Sequence, residues 1–167
     1  QMCIRDRNIT AAISVLDDLG YQLKKSHIKN FKGTKRRMNI LGKINKILFI
    51  DDYAHHPTEI EKLINVSYFY KKKRIFFVIE PHRYSRVMSL KDEFSNCFSK
   101  SNLVIMCPLY AAGEKKNIKF NLVKFGESIM KNSNTQVIIV KNEIELTKYL
   151  GKNLISDEII IGMGAGL

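Results

Sequence analysis

The sequence predicts an α/β fold: a mostly parallel sheet with helices on both faces and an antiparallel strand at one edge. One observation is a set of short, almost continuously apolar runs at residues 75–79, 103–106, 137–140 and 159–161. Another is that stretches of helical period separate these runs. Strands that are apolar on both faces must be covered on both faces, so their alternation with helices indicates parallel pairing. This is the arrangement of a Rossmann-like domain.

The antiparallel edge is predicted from a hairpin ahead of the first of these runs. Residues 38–41 and 46–50 are the candidate strands, and residues 42–45, with a glycine and an asparagine, are the candidate turn. A hairpin joins its strands antiparallel, so one strand of the sheet must run against the others.

Helices are predicted where apolar residues recur every three or four positions. Pro57 suits the first position of a helix, where its missing N–H costs nothing. Asn142, with Glu145 three residues later, resembles a capping box. The predicted helices between the strands are residues 57–70, 87–100, 122–131 and 143–150.

The first 33 residues have a different pattern. Residues 1–7, QMCIRDR, fit nothing around them, and helical periodicity begins at Asn8 and stops at Gly20. A shorter helix is predicted over residues 22–30. The segment 31–38 then carries the boundary to the α/β domain.

Composition bounds the function classes. A chain of 167 residues predicts one domain with a fragment of another, and no apolar run is long enough to span a bilayer. Cys3, Cys97 and Cys107 have no metal-binding spacing, which favours reduced thiols in a cytoplasm. The net charge of +12 includes basic clusters at 35–37 and 71–74, but no nucleic-acid-binding motif accompanies them. An anionic substrate explains a basic cleft equally well.

Every unusual motif follows a predicted strand. These motifs are DDYAHHPTEI at 51–60, EPHRYSR at 80–86, YAAGE at 110–114 and GMGAG at 162–166. Because parallel strands bring their carboxyl ends to one edge of a sheet, the motifs are expected to meet there, where α/β proteins bind ligands.

The side chains of the first motif suit several ligands. Asp51 and Asp52 alternate sides on leaving a strand, so one of them faces the cleft, where a carboxylate accepts ribose hydroxyls or holds a metal. His55 and His56 lack a third nitrogen or sulfur ligand at a recognised spacing, so no metal site is predicted. His56 is expected to cap the helix that begins at Pro57.

Two arginines in the second motif suit a carboxylate. Arg83 and Arg86 are three residues apart and follow a strand end. Arginine holds a carboxylate through two parallel hydrogen bonds, which lysine does not reproduce.

Taken together, the four motifs, in this order, resemble the C-terminal domain of the Mur ligases, and the resemblance runs from Asn8 to the last residue. It implies that residues 1–7 are a non-native leader, that 8–33 are the helical tail of a central ATP-binding domain, and that 34–167 are the C-terminal domain, truncated at its end. It assigns no catalytic residue to this part of the chain. The implied site residues are Tyr53, His55, Arg83 and Arg86 for the amino acid, Arg37 and Asp52 for the nucleotide, and Tyr110 and Glu114 on a cleft loop.

The resemblance also implies an activity. ATP with Mg²⁺ would activate the carboxylate of UDP-N-acetylmuramic acid as an acyl phosphate, which the amino group of L-alanine attacks in cytoplasmic peptidoglycan synthesis. The chain contains no G-x-x-x-x-G-K-[ST] loop for the phosphates, so this fragment alone is expected to be inactive. Two alternatives stay open: a related ligase that recycles a tripeptide onto the same sugar nucleotide, and a free-standing basic α/β module that binds an anionic ligand or nucleic acid.

Overall fold

The protein is described by a computed structural model, which covers residues 4–29, 34–72 and 74–166. The chain forms two compact units, residues 1–34 and residues 35–167.

The first unit is helical. Helix α1 spans Ile4–Asp18 and helix α2 spans Lys25–Lys29. Gly20 follows α1 with a φ of +80°, the left-handed conformation in which glycine commonly ends a helix. Both predicted helices are present, but α1 begins four residues before the predicted start at Asn8, and α2 is shorter than predicted. The proposal that residues 1–7 are non-native falls partly on residues outside the described part of the chain, and it stays a prediction.

The second unit contains a six-stranded sheet. Its order is β1-β2-β6-β3-β4-β5; β1 pairs antiparallel with β2, and every other pair is parallel. The predicted mostly parallel sheet with an antiparallel edge is therefore confirmed. The strands are β1 Asn39–Ile44, β2 Ile47–Asp52, β3 Ile75–Ile79, β4 Leu103–Met106, β5 Gln136–Ile139 and β6 Ile159–Met163.

The hairpin turn lies later than predicted. Asn45 and Lys46 form it, with φ values of 49° and 66°. Two consecutive left-handed residues match the right-handed twist of the flanking strands. Gly42 lies inside β1, opposite Phe49, beside an irregularity in the register. The predicted turn at residues 42–45 was wrong because Gly42 lies at the register shift within β1 and not in the turn.

Within the described part of this unit, five α-helices accompany the sheet: α3 Pro57–Ser67, α4 Tyr84–Ser89, α5 Lys91–Asn96, α6 Leu122–Ser133 and α7 Glu143–Asn153. A 3-10 helix, Tyr68–Tyr70, continues from α3. The single helix predicted over 87–100 is instead α4 and α5, because Leu90 leaves helical geometry at φ −111° and ψ 28°. At α7, Asn142 Oδ1 accepts the N–H of Glu145 at 3.0 Å, as predicted. The Glu145 carboxylate in turn accepts the N–H of Lys141.

Both faces of the sheet are buried. On one face, α3, α5 and α6 pack side chains such as Ile60, Phe94 and Ile129 against the strands. On the other face, Phe76 and Ile160 belong to a second cluster to which α7 contributes. This two-sided burial is why the strands are apolar throughout. None of the helices in the described ranges is long and apolar enough to cross a membrane.

Candidate functional site

The four motifs meet at the carboxyl edge of the sheet, as predicted. They follow β2, β3, β4 and β6, which are neighbours in the sheet. Backbone hydrogen bonds continue past the strand ends: Glu80 N–H donates to Met163 O at 2.9 Å, and Cys107 N–H donates to Ile79 O at 2.8 Å. A β-bridge then joins His82 to Tyr110. The loops that carry the polar residues are thus fixed by the sheet itself.

Asp52 holds the backbone at this edge. The residue is 5% exposed, and its two carboxylate oxygens accept the N–H groups of Met38, at 2.7 Å, and Ala54, at 2.8 Å. Burial raises the pKa of Asp52 above its ordinary value, while the two backbone hydrogen bonds oppose that rise. Whether Asp52 also contacts a nucleotide stays a prediction.

Arg36 is a residue that the sequence did not single out. Its Nε donates to Asp51 Oδ2 at 3.1 Å, and its terminal nitrogens donate to Gly166 O at 2.5 Å and Gly164 O at 2.9 Å. The guanidinium also lies 5.3 Å from the ring centroid of Tyr53. Arg36 therefore fastens the loop after β6 to the end of β2, and Asp51 is the aspartate that faces it.

Arg37 points elsewhere. Its side chain is 51% exposed and lies 3.8 Å from Glu59 Oε1. A pair at this exposure contributes little to stability, which leaves the guanidinium free to meet a ligand. Arg36 and Arg37 thus have different surroundings, and the sequence did not predict this difference.

Glu80 holds the other side of the loop after β6. Burial raises the pKa of Glu80, while Arg36 and the N–H of Gly166 oppose that rise. A Cβ at position 166 would lie 2.1 Å from Glu80 Oε2, so this position requires glycine unless the glutamate moves. Gly164 and Gly166 of GMGAG therefore allow this close approach, beside a shallow pocket of about 190 Å³ that Cys107 also lines.

Four rings form a continuous row along the edge. Ring centroids are 5.0 Å apart between Tyr53 and His55, 5.7 Å between His55 and His82, and 5.3 Å between His82 and Tyr110. His82, which is 9% exposed, was not predicted as a site residue, although it stands directly before Arg83 in the second motif. Burial lowers the pKa of His82, and Arg86, His55 and Arg83 lower it further, which favours the neutral imidazole.

The start of α3 positions the first histidine of the row. His56 caps the helix, with Nδ1 accepting the N–H of Thr58 at 3.4 Å, as predicted. Glu59 Oε2 accepts the backbone N–H groups of His55, at 3.2 Å, and His56, at 3.4 Å. The polar residues of this motif are therefore divided between helix capping and the row of rings.

The two predicted carboxylate-binding arginines lie at the same place. Arg86 is half-buried, with Nη1 3.4 Å from His82 Nδ1. Arg83 is exposed and has a φ of 66°, and its N–H donates to Tyr110 O at 2.9 Å. Glu114 accepts the N–H and hydroxyl of Ser85, which lowers the pKa of this glutamate. The structure thus brings His55, Arg86 and Tyr110 around His82, with Tyr53 on the far side of His55.

Comparison with protein families gives a match over most of the chain. Residues 36–166 match the model described as Mur ligase, glutamate ligase domain. The UDP-N-acetylmuramate–L-alanine ligase of Pelagibacter ubique is 41% identical over 163 residues, covering 96% of this chain and 35% of that protein. The enzyme of the same name from Clostridium acetobutylicum is 38% identical over 165 residues, covering 95% and 36%. The chain thus spans about a third of the length of these curated relatives.

Solved structures show the same fold. The UDP-N-acetylmuramate-alanine ligase of Thermotoga maritima superimposes with a TM-score of 0.70 at 25% identity, covering 94% of this chain and 33% of that one. A bifunctional folylpolyglutamate synthase/dihydrofolate synthase of Yersinia pestis, complexed with AMPPNP and Mn ion, gives a TM-score of 0.65 at 14% identity, covering 92% and 35%. The second likeness concerns the fold alone. With its family match, its relatives and a sheet whose carboxyl edge carries all four motifs, this chain belongs to the Mur ligase family.

Proposed function

We propose that this chain is the C-terminal portion of an enzyme that joins L-alanine to UDP-N-acetylmuramic acid in peptidoglycan synthesis. Two relatives that carry the corresponding name match nearly the whole chain at 41% and 38% identity. In this proposal ATP, with Mg²⁺, phosphorylates the muramoyl carboxylate, and the amine of L-alanine displaces phosphate to form the amide. The proposed location is the cytoplasm, and neither nucleic acid nor membrane is a proposed partner.

The observation that carries the proposal is the row of rings with its arginines at the carboxyl edge of the sheet. L-Alanine has little apolar surface, so its binding energy must come from its two charged ends. Arg86 lies 3.4 Å from His82, and the charge of Arg83 also acts on that ring, which supports assigning both arginines to one carboxylate. A guanidinium fork matches a free carboxylate in geometry and charge. Tyr53, His55 and Tyr110 border the same place.

We assign the nucleotide to the other end of the site. Arg37 is free for a phosphate contact, since its partner Glu59 is 3.8 Å away. Asp52 lies deeper, with both oxygens already accepting backbone N–H groups. A carboxylate oxygen has more than one lone pair, so a ribose hydroxyl remains a feasible additional donor. In the same proposal Mg²⁺ binds with ATP mainly in the central domain of the full-length enzyme.

The domain assignments belong to the same proposal. Residues 8–33 are proposed as the tail of the ATP-binding domain and 34–167 as the amino-acid-binding domain, with Glu114 on a cleft loop. The contribution of the second domain to catalysis is then to orient the amine against the acyl phosphate and to neutralise charge.

The experiment uses a full-length ligase that contains this domain, with saturation curves for alanine and ATP measured separately. Arg86→Lys and Arg83→Lys keep the charge and lose the fork. Each is expected to lower kcat/KM for alanine by about 30-fold to several-thousand-fold, which corresponds to about 2–5 kcal/mol for an underpaired buried charge. Arg37→Lys is the matched control, because it should raise the KM for ATP and leave that for alanine unchanged.

Three results would contradict the proposal. Phosphate release by the parent enzyme that does not depend on alanine would remove the substrate assignment, and preference for a tripeptide acceptor would favour the recycling ligase. Normal alanine saturation in both arginine variants would remove the carboxylate site. The isolated 167-residue chain is expected to release no phosphate, since it has no phosphate-binding loop.

A further inference from the structure

The hydrogen-bond partners of His55 determine which of its nitrogens carries the hydrogen. Nδ1 lies 2.8 Å from the carbonyl oxygen of Tyr53. A carbonyl oxygen only accepts, so Nδ1 of His55 is the donor. In the neutral ring Nε2 then carries a free lone pair, and this atom has no hydrogen-bond partner within the described part of the chain. The side chain is 16% exposed, so the ring is held but reachable.

His82 has the opposite tautomer. Its Nδ1 lies 3.4 Å from Nη1 of Arg86, and a guanidinium only donates. The hydrogen of the neutral His82 ring is therefore on Nε2. The charged groups that influence His82 are Arg86, Arg83 and Glu114, with His55 beside it; the three basic residues together oppose a charge on the ring. His82 thus offers a hydrogen-bond donor, whereas His55 offers an acceptor.

The spacing of the two rings suits a substrate with two unlike ends. Their centroids are 5.7 Å apart, and an α-amino acid carries its ammonium and carboxylate groups on one carbon. A lone pair on Nε2 of His55 repels a carboxylate and attracts an ammonium. A donor on Nε2 of His82 does the reverse, as does the Arg86 guanidinium on the Nδ1 side of the same ring. The pair of unlike tautomers therefore favours one direction for a bound amino acid.

We propose that His55 is the base that removes a proton from the ammonium group of the incoming amino acid, while His82 and Arg86 hold its carboxylate. This inference depends on the function proposed above. An α-ammonium group has no lone pair for attack and is protonated at neutral pH. This assignment specifies the predicted contact of His55 with the amino acid as a contact with its amine.

The proton transfer balances with the groups present. The ammonium gives one proton to Nε2 of His55, and the freed electron pair of the nitrogen forms the C–N bond at the acyl carbon. The bond between the acyl carbon and the phosphate oxygen breaks, and phosphate leaves with the electron pair of that C–O bond. The second proton of the amine passes to the departing phosphate. Glu59 Oε2, 3.7 Å from Nδ1 of His55, and Tyr53 O stabilise the imidazolium that forms.

The test compares two nucleophiles in the full-length ligase. His55→Asn keeps a donor near the Tyr53 carbonyl and removes Nε2. With alanine, kcat should fall by about 100- to 10,000-fold, the usual contribution of a general base. With hydroxylamine, which is already uncharged at neutral pH, hydroxamate formation from the acyl phosphate should be unchanged. His56→Asn is the matched control, because asparagine also caps a helix and both rates should stay at the parent level.

The outcomes separate this inference from the proposed function. A parent enzyme that couples no alanine contradicts the function. A parent that couples alanine, with a His55→Asn variant within about threefold of it, overturns the assignment of the base, since general-base catalysis is worth far more. If that variant does not fold, Glu59→Gln replaces it, because glutamine keeps an oxygen for the helix cap. Its alanine rate should fall by about tenfold with the hydroxylamine rate retained; equal changes in the two rates would overturn the proposal.

His82 is tested by a second pair of variants. The amide of glutamine places a donor near the position of Nε2, whereas that of asparagine lies near Nδ1. His82→Asn should raise the KM for alanine by about 10- to 150-fold with kcat little changed, as expected for a lost hydrogen bond to a charged group. His82→Gln should raise that KM less. An equal rise in both variants would contradict the donor role.

Discussion

Asp52 offers a direct test of whether this edge of the sheet is held by a carboxylate. The perturbation is Asp52→Asn, which changes no volume but leaves one oxygen for two backbone donors, the N–H groups of Met38 and Ala54. The new amide NH2 group then faces a backbone N–H from which it cannot accept a hydrogen bond. Losing one hydrogen bond to a charged acceptor costs about 1.5–3 kcal/mol. For a chain of this size, that lowers the melting temperature by about 3–12 °C.

The matched control is the neighbouring aspartate. Asp51 is half-buried and pairs with Arg36 at 3.1 Å, so Asp51→Asn should cost less than about 1 kcal/mol. Unfolding of the 167-residue chain is followed by circular dichroism in urea, and ATP binding is followed in the full-length ligase. If both variants unfold like the parent, Asp52 does not hold the backbone. If Asp52→Asn alone is destabilised, any loss of ATP affinity must be measured well below its melting temperature before it is attributed to nucleotide contact.

The difference in unfolding free energy between the parent and the Asp52→Asn variant should also depend on pH. Because burial raises the pKa of Asp52 in the folded state, the group stabilises the fold fully below its ordinary pKa of 3.8 and loses that contribution as pH rises through the raised value. The asparagine variant does not titrate there. The parent should therefore exceed the variant in stability by more near pH 4 than at pH 7. A difference that grows with pH would contradict the direction of the shift.

Three further predictions concern the fold around the site. Phe94→Ala should cost about 3–5 kcal/mol in urea unfolding, because Phe94 is fully buried, whereas Phe69→Ala, at an 83% exposed position, should change stability by less than about 0.5 kcal/mol. Thiol labelling at pH 8 is measured in a chain in which Cys3 is replaced by serine. Labelling of Cys107 should be slow, because burial raises its pKa to about 11. Labelling of Cys97, whose pKa burial also raises, should be absent until the chain unfolds. Arg83→Gly should raise the melting temperature while impairing alanine saturation, since glycine relieves the φ of 66° and removes the guanidinium.

The sequence predicted the strands of the fold best. Residues 75–79 and 103–106 are strands with the predicted ends, because an apolar run between polar residues marks a buried strand directly. Helix interruptions were less visible. Leu90 fits the helical period and yet separates α4 from α5, since its backbone conformation leaves no trace in the residue type. In the hairpin, Gly42 suggested a turn that Asn45 and Lys46 form instead.

The site was predictable in position but only partly in detail. That the motifs converge follows from parallel topology alone. Which of two adjacent residues faces inward depends on register, so the separate roles of Arg36 and Arg37 were not accessible. The Arg36 contact with Gly166 spans 130 residues along the chain, and no local pattern encodes it. His82 was missed for a different reason: its importance comes from the rings and guanidinium around it, not from its spacing.

The conformation of Arg83 connects the fold to the chemistry. A non-glycine residue at φ 66° and ψ 128° costs about 1–3 kcal/mol, and here the bond from its N–H to Tyr110 O compensates part of that cost. The same bend begins α4, with His82 just before it and Arg86 one turn later. A relaxed backbone at this point would separate the imidazole from the guanidinium that sets its tautomer. The strain is therefore tied to the donor that His82 presents, and it lies at Arg83, between His82 and Arg86, the two other side chains assigned to the carboxylate.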